Sequence, residues 1–131
     1  MKTKAEIVQI IEQELLNRTE IQFAYIFGSF TGTGSFRDVD LGIYLAEVPD
    51  SAVQNYDIRF ALTLERAISL PVDVVVMNAA PDHLIHRISS GQLVLDRMPN
   101  RRADFLAAAW ARYFDIRPKR QAYLREKVMV Q

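Results

Sequence analysis

Residues 25–45, YIFGSFTGTGSFRDVDLGIYL, constrain the fold of this chain more than any other stretch. The segment 22–27 is too short for a typical helix and rich in aromatic and β-branched residues, as a buried strand is. Gly28 ends it. Beyond a glycine-rich turn, Val39, Leu41, Ile43 and Leu45 point one way while Asp38, Asp40, Gly42 and Tyr44 point the other, the two-residue period of a second strand. Two like charges therefore stand at the head of an otherwise apolar strand.

The rest of the chain supplies covers for such a strand pair. Ile7, Val8, Ile11 and Leu15 recur at helical spacing, predicting an amphipathic helix over 3–18, with a turn at 17–20. Pro49 and Asp50 break the second strand. Ser51 can cap a helix whose buried stripe is Val53, Tyr56, Phe60, Leu64 and Ala67 or Ile68, stopped by Pro71. VDVVVMN reads as a third, central strand entered through Asp73. A helix start is expected at 78–81, with Gly91 as its left-handed cap, and QLVLDR as a short edge strand. Residues 101–115 read as a helix with Phe105, Leu106, Ala109, Trp110 and Tyr113 on one stripe, and 119–129, past Pro118, as a second, basic helix. The order predicts an α/β (α+β) fold, a small mixed sheet flanked by helices.

With 131 residues, half of them apolar, the chain is expected to form a single domain. Sixteen basic and sixteen acidic residues cancel, so no global charge demands nucleic acid or membrane. Their distribution is uneven: residues 1–100 carry eight Lys/Arg against thirteen Asp/Glu, and 101–131 carry eight against three. The C-terminal segment reads as a basic extension of an acidic body, suited to docking an acidic partner rather than nucleic acid. The absence of cysteine excludes a disulfide framework and a Cys-type zinc site. No signal-peptide pattern or membrane-length apolar run is seen, and a cytoplasmic protein is the expectation.

Asp38 and Asp40 leave the same face of a strand, about 7 Å apart along the backbone. At an effective dielectric near 20, two carboxylates ~4 Å apart would cost roughly 4 kcal/mol, so a positive charge belongs between them. Mg²⁺ suits an oxygen-only site completed by water and substrate phosphates, and Asp73 supplies a third oxygen ligand if its strand pairs beside the second. Gly28 permits close backbone approach, and a helical turn from Ser29 onward would aim amides and a hydroxyl at an anion. Of the remaining candidates, Arg37 is either a phosphate contact or an exposed loop arginine. His83 and His86 lack a nearby third ligand and read as surface or partly buried histidines. Tyr44 either lines a pocket or covers core.

FGS followed by a glycine loop and DVDL resembles the Gly-Ser, spacer, Asp-x-Asp signature of the DNA polymerase β-type nucleotidyltransferase superfamily. In size the chain is similar to the minimal nucleotidyltransferase (MNT) proteins that pair with HEPN-domain toxins, and the likeness runs over residues 5–98. The resemblance implies that Gly28 and Ser29 bind nucleotide phosphate, that Asp38 and Asp40 bind metal, and that Asp73 binds metal or helps deprotonate the acceptor. It implies Mg²⁺ as cofactor, ATP as substrate and a HEPN-type toxin as partner, whose RNase activity is silenced by adenylyl transfer to a tyrosine. The loop between Ser29 and Asp38 has eight residues, shorter than the family's usual one. Two alternatives stay open: neutralisation of the partner by binding alone, and a small-molecule nucleotidyltransferase similar to the aminoglycoside-modifying ones. Oligomeric state stays open as well.

Overall fold

Thr3 opens the first helix by accepting the Glu6 N–H at 3.2 Å, a T-x-x-E start that satisfies an otherwise unpaired amide. This helix, α1 (Lys4–Leu16), buries Ile7, Ile11 and Leu15, one side chain per turn. The structure, a computed structural model, describes residues 2–47 and 53–115. The elements that follow are β1 (Ile21–Phe27), β2 (Val39–Leu45), α2 (Tyr56–Ile68), β3 (Val72–Val76), α3 (Asp82–Ser89), β4 (Gln92–Asp96) and α4 (Pro99–Phe114). One-turn 3₁₀ helices follow β1 and β3, at Gly28–Thr31 and Met77–Ala79. The strands form one sheet in the order β3-β2-β1-β4, with β1 antiparallel to both neighbours and β2 parallel to β3. This is the mixed, helix-flanked α/β sheet expected from the sequence.

Both faces of the sheet are covered. Leu41 and Ile43 of β2 pack with Ile7, Ile11 and Leu15 of α1 and with Phe60 and Leu64 of α2. On the opposite face Phe23, Tyr25 and Phe27 of β1 meet Ile85 and Ile88 of α3 and Ala109 of α4. Each fully buried side chain of this size contributes about 1.5–3 kcal/mol. Close approach of α3 depends on Gly42, where a Cβ would lie 2.5 Å from Ile88 Cγ2. Arg97, just past β4, donates to the carbonyls of Leu16, Arg18 and Ile21 at 2.9, 2.7 and 2.8 Å. It thereby closes the carboxyl end of α1 and pins the turn into β1, a role the sequence pattern does not reveal.

The structure corrects three expectations. β3 is an edge strand, paired only with β2, while β1 and β2 are central. Its valine run reflects helices on both faces, not strands on both sides. Gly91 is not a left-handed cap: Ser90 closes α3 in right-handed geometry, and the glycine is needed because a Cβ would lie 2.2 Å from the Ile26 carbonyl oxygen. The expected second helix is interrupted: Val53 is helical, a turn follows at residues 54–55, and α2 starts at Tyr56, since Asn55 at φ 59° prevents an α-helix from running through it. The Ser51 cap itself falls outside the described residues, as does the helix expected at 119–129. As the apolar stripe predicts, Phe105, Leu106 and Ala109 of α4 pack into the second core cluster. Among the described residues no helix is long and apolar enough to cross a membrane.

Candidate active site

Three neighbouring strands deliver the acidic residues and the glycine turn to one end of the sheet. Parallel pairing of β2 with β3 sets Asp40 opposite Asp73, and antiparallel pairing of β1 with β2 sets Phe27 opposite Asp40. Gly28 follows directly. It adopts φ +79°, and a Cβ there would lie 2.3 Å from Asp40 Oδ2, so two separate constraints exclude a side chain.

The turn after Gly28 is firmly held. Thr31 Oγ1 donates to the Gly28 carbonyl at 2.8 Å, and the Gly32 N–H donates to the Ser29 carbonyl at 3.1 Å. Phe30 is buried and meets Phe36 edge to face, 4.8 Å between centroids. Lys4 spans the loop, with Nζ 5.5 and 5.3 Å from those two rings and a 2.6 Å hydrogen bond to the Gly32 carbonyl. Ser29 is exposed and Gly28 half-exposed, so the turn is open to a ligand while its aromatic anchors are not.

Asp40 is half-buried, whereas Asp38 and Asp73 are exposed. Burial pushes the Asp40 carboxyl above the usual carboxylate range, the charges of Asp38 and Asp73 push it further, and Arg87 opposes them. Among the described residues no three His, Cys, Asp or Glu groups form a ready-made chelate. The strand register nonetheless sets the Cα atoms of Asp38 and Asp73 within about 5–7 Å of that of Asp40, and the all-oxygen donor set fits a hard divalent cation. Asp73 also lines a groove of about 780 Å³ along β3, bordered by Val75, Ala80 and Leu84.

Among the other polar and aromatic candidates, Tyr44 and the two histidines contribute nothing to this cluster. Tyr44 stacks on Phe23 at 4.6 Å and meets Phe105 at 4.8 Å, beyond the point where Ile88 packs on Gly42, so it covers core. His86 lies 4.4 Å from the Trp110 ring and 4.6 Å from that of Tyr113, and His83 is exposed; neither contributes to a metal cluster. Arg37 is exposed in the loop before Asp38. Arg87 carries no sequence signal of its own, because only the fold lays α3 beside the end of β1.

The family model for Polymerase beta, Nucleotidyltransferase matches residues 9–100. The chain belongs to the polymerase β nucleotidyltransferase family. No curated protein matches this nucleotidyltransferase-family chain by sequence. Among solved structures it is similar to tri-AMPylated Shewanella oneidensis HEPN toxin in complex with MNT antitoxin, with TM-score 0.66 and 20% identity over 92% of this chain and 98% of that one. It is also similar to a toxin–antitoxin structure with AMP-PNP, with TM-score 0.68 and 20% identity over 97% and 99% of the two chains. A third is the MntA–HepT toxin–antitoxin, with TM-score 0.63 and 18% identity over 95% and 96%. At these identities the likeness is one of fold.

Proposed function

We propose that this protein is a Mg²⁺-dependent adenylyltransferase and the antitoxin of a HEPN-type toxin, moving AMP from ATP to a tyrosine hydroxyl of that partner. The observation that carries the reading is the contact between the two halves of the motif. In a chain of this family, Gly28 gives up its side-chain space to Asp40, and Asp40 stands between Asp38 and Asp73. The HEPN–MNT complex with an AMPylated toxin and the AMP-PNP structure share its fold and support the partner and the nucleotide. The reading treats residues 1–131 as one nucleotidyltransferase domain.

Each residue then has a role. The amides of the turn and the Ser29 hydroxyl take phosphate oxygens at a point where no Cβ intrudes. Asp38, Asp40 and Asp73 hold the cation. Magnesium, when bound, offsets charge on the phosphates and makes the α-phosphorus more electrophilic. Asp73, at the outer strand and beside an open groove, faces the side from which an acceptor hydroxyl can enter and accepts its proton.

Incubation with the partner toxin, ATP and Mg²⁺ adds adenylate mass to the toxin, read by intact-mass spectrometry. Absence of that addition with active toxin and verified metal would sink the enzymatic claim. The eight-residue loop between Ser29 and Asp38, shorter than usual for the family, favours a second reading, neutralisation by binding alone. Asp38→Asn separates the two. Under the enzymatic reading it abolishes neutralisation while the complex persists; under the binding reading neutralisation is retained.

A further inference from the structure

Arg87 lies in the last turn of α3, exposed, with its guanidinium carbon 5.6 Å from the centroid of the Phe27 ring. Phe27 is the last residue of β1, immediately before the Gly28–Ser29 turn and paired with Asp40. Arg87 takes part in no ion pair among the described residues. Because Phe27 is the register partner of Asp40, the guanidinium over its ring lies beside the strand end that carries the acidic cluster. A guanidinium resting on an aromatic face keeps its N–H edge free, and that planar edge matches two phosphate oxygens at once.

Strand order gives this cation a direction. Asp73 stands on β3, Asp40 on β2, and Arg87 over the end of β1, so Asp40 is between the other two across strands about 4.8 Å apart. In-line displacement at phosphorus needs the entering and departing oxygens on opposite sides. An acceptor entering beside Asp73 sends the leaving group across Asp40 toward β1, where Arg87 waits.

We propose that Arg87 binds the β- and γ-phosphates of the nucleoside triphosphate and receives the departing pyrophosphate, a role that rests on the nucleotidyltransferase reading above. The acceptor hydroxyl oxygen forms a bond to the α-phosphorus. The bond from that phosphorus to the bridging oxygen breaks, and its electron pair leaves with pyrophosphate. The hydroxyl proton goes to Asp73 and on to water. The negative charge that builds on the leaving oxygen develops on the Arg87 side.

The test is calorimetric titration of the full chain with a non-hydrolysable ATP analogue, with AMP and with pyrophosphate, all in Mg²⁺. In Arg87→Gln, affinity for the triphosphate and for pyrophosphate falls about tenfold to a hundredfold, while affinity for AMP stays within about twofold. Arg87→Lys, which keeps the charge but loses the fork, falls between. Each variant stays folded, since the side chain is exposed, and a single cooperative thermal transition verifies it. Triphosphate binding by Arg87→Gln equal to that of the wild type overturns the inference and leaves the nucleotidyltransferase reading intact, as does an equal loss of AMP and triphosphate. Failure of the wild type to bind any triphosphate overturns both.

Discussion

At Asp40 stability and activity oppose each other. Its carboxyl titrates above the usual range in the folded protein, because of burial first and then Asp38 and Asp73. Between its unfolded value of 3.8 and its folded value the native state holds more protons than the unfolded chain. Stability attributable to Asp40 therefore falls as pH rises through that window. Asp40→Asn removes the penalty: at about pH 7 the variant unfolds at a higher temperature than the wild type, and adenylyl transfer is lost. Thermal unfolding from about pH 4 to about pH 7 checks this, since the gap between variant and wild type opens as pH rises. Glu20 and Tyr56 show the opposite case. Burial alone would raise Glu20, but hydrogen bonding from the Tyr56 hydroxyl, a backbone bond and the charges of Arg18 and Arg97 bring it below its usual value. Tyr56 is pushed up to about 12 by burial and by that same bond. Tyr56→Phe costs about 1–2 kcal/mol by urea unfolding above the carboxylate range, and the difference shrinks as acid protonates Glu20.

Among the elements, those carried by local pattern were legible in the sequence and those carried by distant contacts were not. The 3.6-residue stripe of α1 and the alternation in β2 each bury residues that the spacing alone selects, such as Ile7 and Leu41. Nothing local distinguishes a valine run at a sheet edge from one at its centre, so the edge position of β3 has no signal in its sequence. The break before α2 escaped because Asn55 reads as an ordinary helical residue until its left-handed backbone is seen. Gly91 looked like a cap because it follows a helix, yet its reason is the Ile26 carbonyl on another strand. Gly91→Ala consequently pushes backbone against backbone and costs at least about 2 kcal/mol, whereas a true left-handed cap would tolerate Asn; Asn at this position is as damaging as Ala. Arg97→Ala unties α1 from β4, removes a donor from each of three carbonyls, of which that of Arg18 keeps the Ile21 N–H, and costs about 2–3 kcal/mol, with Arg97→Lys recovering only part. Chemical denaturation of the four variants measures both effects.

For the molecule as a whole, the site was readable further than the topology that builds it. Gly28, Ser29, Asp38 and Asp40 lie within one short stretch, so their association survives any error in strand order. Asp73 needed only that β3 pair with β2, and the parallel register does bring it opposite Asp40. Arg87 was invisible, since its place depends on α3 folding over the sheet and on the room that Gly42 leaves for Ile88. If the acidic end of the sheet holds a cation and a nucleotide, then ATP with Mg²⁺ raises the melting temperature of the wild type and leaves that of Asp40→Asn unmoved, by differential scanning fluorimetry.

The absent side chain of residue 28 has a historical consequence. One void is shared by the glycine turn and the carboxylate of Asp40, so the two positions cannot drift independently. Descendants that abandon catalysis must surrender the acid at 40 before anything larger than hydrogen settles at 28. Retired relatives that keep glycine without the acid should therefore outnumber those with the reverse combination.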